Sequence, residues 1–509
     1  MERLLCHTQS LALPRLLTRS TPAAASPAAD GPTGGGGAAG CGPDAPPFPP
    51  ARPEVETLQA YSAPLEGRRG LLRLDFNENT VGPSPKVVEA LRAIPADHIA
   101  IYPEYDGLRE AVLASLRSTA APGHRGTDGP GSGSPAACRP AEALQPDQIG
   151  LFNGVDAAIH AVFQAYGAPG DRLLTTSPTF GYYTPCARMQ GMAIEAIPYE
   201  LPGFGFPLAA IRASLLGPTA ASSQPSPPAA SGQPLSPQAT VPQTSADSTV
   251  PLTTSPASAG SAGSQPASPP AAPGRLPGAA DAWTPPRLLL ICNPNNPTGT
   301  RLAPERILEL AAAAPQTLVV VDELYEAFTG DSVLPLLLER SGGDDPFASL
   351  PNLLVLRSLA KTAGLAGLRI GFAIGHAAVV DRVSRVTGPY DINSFAVTAA
   401  FAALADQPYV DAYVAEVLRA RDWLVEQLQG AGVRHHAAGG NYLLLWPEAD
   451  PAEVERRLRD EAGILVRSMA GKPLIDGSLR VSLGTLEQMR RFWQAWQAIT
   501  ASAAPLPIP

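Results

Sequence analysis

Apolar residues along this chain fall into two alternating patterns. Residues 172–176, 287–292, 317–321, 352–356 and 369–374 are short runs with little polar alternation, as expected of strands covered on both faces. At 157–166, 304–314 and 407–428, by contrast, apolar positions recur every three to four residues, the spacing of one helix face. The helix at 304–314 opens on Pro304, a residue suited to a first helical turn. Strand-like runs alternating with helices predict the α/β class, with a mostly parallel sheet covered on both faces. Open sheets of this kind place ligands outside the carboxyl ends of their strands. The residues that follow the runs are therefore where chemistry is sought.

Three stretches, 21–52, 120–139 and 218–285, break the pattern. They are built mainly from Pro, Gly, Ala, Ser and Thr and hold many of the 57 prolines and 47 glycines among 509 residues. Such sequence buries too little apolar surface to offset the entropy of ordering it. The first reads as a linker, the second as a loop extension and the third as an insert inside a domain, tolerated because loop-closure entropy grows only logarithmically. The folding part is then nearer roughly 380 residues, enough for two domains. Residues 1–29 hold Arg3, Arg15 and Arg19, several Ser and Thr, and Glu2 as their single acid. That is the composition of an organelle transit peptide, and a disordered tail shares it. A plastid stroma is the expected location if the segment is a transit peptide, a mitochondrial or cytoplasmic one otherwise.

A formal charge of −9 and a pI near 5.4 argue against a nucleic-acid surface, which needs clustered Lys and Arg. No apolar run reaches the length of a membrane span, so a soluble protein is expected. Cys6, Cys41, Cys138, Cys186 and Cys292 lack metal-ligand spacing and fit a reducing compartment.

The residues after three of the runs form one ordered set: Asn296-Pro297-Thr298-Gly299, then Asp322-Glu323-Leu324-Tyr325, then Ser358-Leu359-Ala360-Lys361 running on to Arg369. Each can be assigned a separate task on one cofactor, pyridoxal phosphate (PLP). The Lys361 amine forms a Schiff base with the aldehyde, and the Asp322 carboxylate keeps the pyridine nitrogen protonated. Tyr325 and Asn296 hold the ring oxygen, while Ser358 and Arg369 offer a hydroxyl and a guanidinium to the phosphate. Asp322 closes an apolar run, where a buried carboxylate needs a cationic partner such as a protonated pyridine. Asn153-Gly154-Val155-Asp156 precedes the helical stretch at 157–166. Its backbone N–H groups at Gly154, Val155 and Asp156 are candidates for the phosphate, with a plain N-cap by Asp156 as the alternative.

On these motifs the chain resembles the fold-type I PLP enzymes of the aminotransferase class, and among them the histidinol-phosphate aminotransferases, over approximately residues 73–496 without the inserts. The resemblance implies a large PLP-binding domain at 101–389 with a mostly parallel sheet of the seven-stranded type. A smaller α+β domain would be made from 53–100 and 390–502, after a transit-like segment and linker at 1–52. In Pro178-Thr179-Phe180-Gly181-Tyr182-Tyr183 the resemblance sets the Tyr183 ring over the pyridine. In Ile101-Tyr102-Pro103 it sends Tyr102 to the cofactor phosphate of a neighbouring subunit, which implies a homodimer. Arg480 matches the arginine that grips a substrate carboxylate, and Arg467 the one that takes a substrate phosphate. Asn77 and Asn441 match positions near the site. Ala157 and Ala360 depart from the pattern, where the family usually has an acid and often a hydroxyl. The implied reaction moves an amino group between L-histidinol phosphate and 2-oxoglutarate. Aromatic amino acid transamination and threonine-phosphate decarboxylation are alternatives on the same fold, and a regulatory protein on a retired enzyme fold is a third.

Overall fold

A computed structural model describes residues 49, 51–58, 66–119, 143–218 and 283–502. The transit-like segment, nearly all of the linker, the loop extension at 120–139, all but the two ends of the insert, and Cys6, Cys41 and Cys138 lie outside the described residues.

After strand β1 (Leu72–Arg73), seven strands build one sheet: β2 (Ile149–Phe152), β3 (Arg172–Ser177), β4 (Ala193–Pro198), β5 (Leu288–Cys292), β6 (Leu318–Asp322), β7 (Leu353–Ser358) and β8 (Gly371–Gly375). Their order is β2-β8-β7-β6-β5-β3-β4, and all neighbours are parallel except β8, which opposes both β2 and β7. Between β7 and β8 the chain makes only the 3-10 turn Ala366–Leu368, and an antiparallel pair needs no crossover helix.

The apolar runs without alternation are explained by two cores, one on each face. Leu289 and Ile291 of β5 pack with Ile307 and Leu310 of the helix Pro304–Ala313, whereas Leu288 and Leu290 pack with Ile159 and Val162 of the helix Val155–Tyr166. Successive side chains of a strand point to opposite faces, so a strand covered twice is apolar at every position. The strand expected from residue 369 starts two residues later, because Arg369 adopts the left-handed conformation at φ 59° and closes the 3-10 turn.

The second unit of structure is an antiparallel sheet. It is formed by β9 (Arg434–His436), β10 (Tyr442–Trp446), β12 (Arg467–Ser468) and β13 (Leu479–Ser482) in the order β12-β13-β10-β9, while β11 (Ile464–Leu465) pairs in parallel with β1. The helices Gln407–Gly430, Pro451–Asp460 and Leu486–Ser502 cover it, burying Leu424, Leu458, Phe492 and Trp496. Boundaries at 100 and 390 would give this unit the helices Pro85–Arg92 and Ser394–Leu404. Both instead place their apolar residues, Val87, Ala396 and Ala400 among them, in the same cluster as Leu289 and Val321 of the large sheet. Their apolar faces are covered there. No described helix is long and apolar enough to cross a membrane, and the described residues hold no cluster of metal ligands.

Candidate active site

The carboxyl ends of β5, β6 and β7 deliver the first group of side chains. Asp322 ends β6 and is 2 % exposed. Its Oδ2 accepts the Tyr183 hydroxyl at 2.6 Å and its Oδ1 the Leu324 N–H at 3.3 Å. Burial pushes the carboxyl up to about 6. Both of these partners are neutral, so a buried acid faces the site without an ion pair among the described residues. Lys361 lies just beyond β7, and its Nζ donates to the Phe76 carbonyl at 2.9 Å. Burial, reinforced by the positive charge of Arg480, pushes this amine down to about 8. The buried Tyr325 hydroxyl accepts from Asn77 Nδ2 at 3.1 Å and from Asn296 Nδ2 at 3.4 Å. Burial raises its pKa, so at neutral pH it keeps a hydrogen to donate.

A phosphate cup stands beside them. Gly154 begins the helix Val155–Tyr166 at φ 78°, and a Cβ there would come within 2.7 Å of Arg369 Nη2. Glycine therefore satisfies both the backbone and the close approach of the guanidinium. Arg369 Nη2 reaches Asp156 Oδ2 at 2.7 Å. Ser358 joins the cup through its register partner Gly371, whose own Cβ would meet Val155 N at 2.6 Å. The Ser358 Oγ accepts the Ala360 N–H at 3.0 Å. A helix start, a guanidinium and a hydroxyl form the donor set of a phosphate, and a buried acid without a direct ion pair among the described residues suits a pyridinium. These residues fit PLP.

Tyr183 departs from its expected place. It is 1 % exposed, its ring packs in the cluster of Phe152 and Leu290, and its hydroxyl is engaged by Asp322. A ring so enclosed has no face open to a pyridine. Phe180, three residues earlier, is half-buried and meets Tyr183 edge-on at 5.5 Å. The motif has aromatics at 180, 182 and 183, and spacing alone does not separate the ring beside a ligand from the ring behind an acid. Tyr102 is 71 % exposed and stacks on Tyr390 at 4.2 Å.

The opposite wall comes from the smaller sheet. Arg480 of β13 is 8 % exposed, donating through Nη1 to Asn296 Oδ1 and through Nη2 to the Asp75 carbonyl, both at 2.6 Å. Arg467 of β12 is its register partner. The Arg467 guanidinium lies 5.6 Å from the centre of the Phe76 ring and makes no ion pair with a described carboxylate. Asn77, at φ 54°, is strapped in place: its N–H donates to Ser482 Oγ at 2.8 Å and its carbonyl accepts Asn441 Nδ2 at 3.1 Å. The structure thus brings Asn77, Asn441, Asn296, Arg467 and Arg480 together with Tyr325 and Lys361.

Sequence reasoning missed Phe76 and Ser482, which sit inside the motifs of Asn77 and Arg480 and carried no separate signal. It also missed Arg357, whose Nε donates to Glu323 Oε2 at 2.9 Å and whose guanidinium also meets Glu326 and Ser332. An arginine in the strand before the lysine motif was the available clue.

Fold and site together define a PLP enzyme. The chain belongs to the aminotransferase class I and II family, which matches residues 69–224 and 271–495. The unmatched stretch between them falls inside the insert. The chain is 28 % identical over 440 residues to the histidinol-phosphate aminotransferase of Paracoccus denitrificans, covering 86 % of this chain and 92 % of that protein. To the histidinol-phosphate aminotransferase of Roseiflexus castenholzii it is 29 % identical over 457 residues, 86 % of this chain and 94 % of that one. Among solved structures, histidinol-phosphate aminotransferase from Sinorhizobium meliloti in complex with pyridoxal-5'-phosphate is similar with a TM-score of 0.62 at 19 % identity, over 89 % of this chain and 98 % of that one. The protein is a PLP-dependent aminotransferase.

Proposed function

We propose that the enzyme moves an amino group between L-histidinol phosphate and 2-oxoglutarate, running in histidine synthesis from glutamate to imidazole acetol phosphate. The observation that carries this reading is Arg467, a guanidinium that makes no ion pair with a described carboxylate and is held across the strand pair from Arg480. Two arginines suit the two halves of a ping-pong cycle. Arg480 offers a planar fork to the glutamate carboxylate, and Arg467 offers a second one to the phosphate of the other substrate. The two relatives named above are both histidinol-phosphate aminotransferases, which supports the same choice.

When bound, PLP supplies an electron sink for the electrons left on the substrate carbon after proton loss. Lys361 moves that proton on its Nζ. An amine pushed down to about 8 is neutral in an appreciable fraction of molecules near pH 7, whereas an ordinary lysine is not. Asp322 would hold the pyridine nitrogen, and Tyr325, beside Asn296, would hold the ring oxygen. Asn296 also accepts from Arg480, so one side chain spans the cofactor wall and the substrate wall. Arg369, Ser358 and the start of the helix Val155–Tyr166 would hold the phosphate.

A donor screen on wild type and Arg467→Ala tests the substrate. Loss of charge-assisted hydrogen bonds should cut turnover of histidinol phosphate on the order of 100-fold and leave the glutamate half-reaction within about 3-fold. Equal loss in both half-reactions, or a wild type that prefers phenylalanine to histidinol phosphate, overturns the reading.

The active unit in this proposal is a homodimer in which Tyr102 reaches the neighbouring cofactor phosphate. Ile99, Ile101, Tyr102, Tyr390 and Phe395 are all exposed, and the stacked pair of Tyr102 and Tyr390 among them supports it. Sedimentation equilibrium checks it, and a fully active monomer would remove it. Import into a plastid is proposed on the composition of residues 1–29, and a fusion of residues 1–52 to a fluorescent protein tests it.

A further inference from the structure

Asp322 is gripped by a side chain from outside its own strand. Its Oδ1 bond to the Leu324 N–H belongs to the backbone turn, but the 2.6 Å bond at Oδ2 comes from a different element, through the hydroxyl of Tyr183 at the start of the helix Tyr183–Met189. That ring is immobilised by Phe152, Leu290 and Leu356 and by the edge of Phe180. The same hydroxyl meets the Cys292 thiol at the end of β5, and this thiol in turn donates to the Pro294 carbonyl at 3.4 Å. A short, fixed donor on one carboxylate oxygen sets the plane of the group. It also favours the charged form in surroundings where charge is costly.

We propose that Tyr183 is a positioning residue for Asp322, its hydroxyl orienting the carboxylate toward the PLP pyridine nitrogen and holding it ionised. The other groups that face this carboxylate divide in sign. Burial and the negative charge of Asp156, on the helix Val155–Tyr166, drive its pKa up, while Lys361 beyond β7 and the two hydrogen bonds draw it down. The Cys292 thiol and the Tyr325 hydroxyl are neutral neighbours, both held protonated by burial. Removing the Tyr183 hydroxyl deletes one of the few influences that keep the charge.

The test is Tyr183→Phe in the full chain, which keeps the ring and removes one oxygen. The readout is the dissociation constant of PLP from the apo-protein, measured by absorbance and fluorescence titration between pH 5 and 9. Wild-type affinity should fall as pH drops through the Asp322 transition. In the variant that fall should begin roughly one pH unit higher, giving about 10-fold weaker binding near pH 6. In turnover, kcat falls and KM for the amino donor stays. A pH profile that superimposes on wild type overturns the proposal, and is the result expected if Tyr183 served only as a ring.

The pair Asp322→Asn and Asp322→Asn with Tyr183→Phe keeps the question answerable if the single Phe variant folds poorly. With the carboxylate gone, loss of the hydroxyl should leave PLP affinity unchanged, because the hydroxyl acts through Asp322. A further 10-fold loss in that background overturns the proposal.

Discussion

Asp322 and Ser358 close strands of the large sheet, and Asn296 and Lys361 lie in the turns that follow β5 and β7. Arg467 and Arg480 instead sit within strands of two and four residues, β12 at the edge of its sheet. The first wall is held by backbone. β5 and β6 are buried at every position, so the residues leaving their ends have little freedom. The second wall is tied by side chains from distant parts of the chain, with Ser482 and Asn441 holding Asn77 and Arg480 bonded to the Asp75 carbonyl. A change in the first wall should therefore impair the chemistry of every substrate alike. A change in the second should separate one substrate from another.

Lys361→Ala is the most severe test of the first half of that contrast. Loss of the group that moves the proton should lower both half-reactions on the order of 10⁴-fold, by the same factor for glutamate and for histidinol phosphate. Single-turnover absorbance changes measure it, and a loss that depended on the substrate would break the distinction between the walls. The wild-type amine adds a pH signature. A lysine whose pKa is pushed down to about 8 is protonated below that value, so the rate at which apo-protein captures PLP should rise about 10-fold per pH unit up to about pH 8 and then level off.

The same contrast explains what was legible in the sequence. Strands β3, β5, β6 and β7 appear as continuous apolar runs because both their faces are covered, and the cofactor residues follow them at short range. The cofactor was readable for that reason. Tyr183 was misplaced because its partner, Asp322, is remote in sequence and three aromatics share one short segment. Arg369 looked like the first residue of a strand because its apolar successors continue into β8, while its own left-handed backbone leaves no trace in the pattern. The helices Pro85–Arg92 and Ser394–Leu404 were assigned to the smaller domain because the resemblance implied boundaries at 100 and 390. Which core takes an amphipathic helix is decided by tertiary packing alone.

Arg357→Met probes how strongly the cofactor wall depends on one buried pair. The Glu323 side chain is 0 % exposed, and Arg357 lies across it and Glu326, tying the end of β7 to the turn after β6. Removing the cation leaves an uncompensated buried acid, at a cost of about 3–5 kcal/mol. The pH dependence has a definite sign. Burial already holds Glu323 up at about 7, above its unfolded value, so the folded state binds this proton more tightly and the contribution is lost as pH rises through 7. Without Arg357 the folded pKa climbs further. Thermal unfolding of the holoenzyme should therefore show a larger deficit for the variant at pH 8 than at pH 5. An equal deficit at both would mean that lost packing, and not the buried charge, carries the effect.

The smallest effect is expected at Ala360. Ala360 lies between Ser358 and Lys361 on the cofactor wall, with its N–H already given to the Ser358 oxygen. Ala360→Ser adds the hydroxyl that the resemblance led one to expect there. A new hydrogen bond to the cofactor phosphate is worth about 0.5–1.5 kcal/mol, or roughly 2- to 12-fold tighter PLP in a titration of the apo-protein. Because the addition is confined to the first wall, KM for histidinol phosphate and for glutamate should stay within about 2-fold of wild type. A change in one KM and not the other would show that the phosphate cup communicates with Arg467 or Arg480, through Asn296 as the residue both walls share.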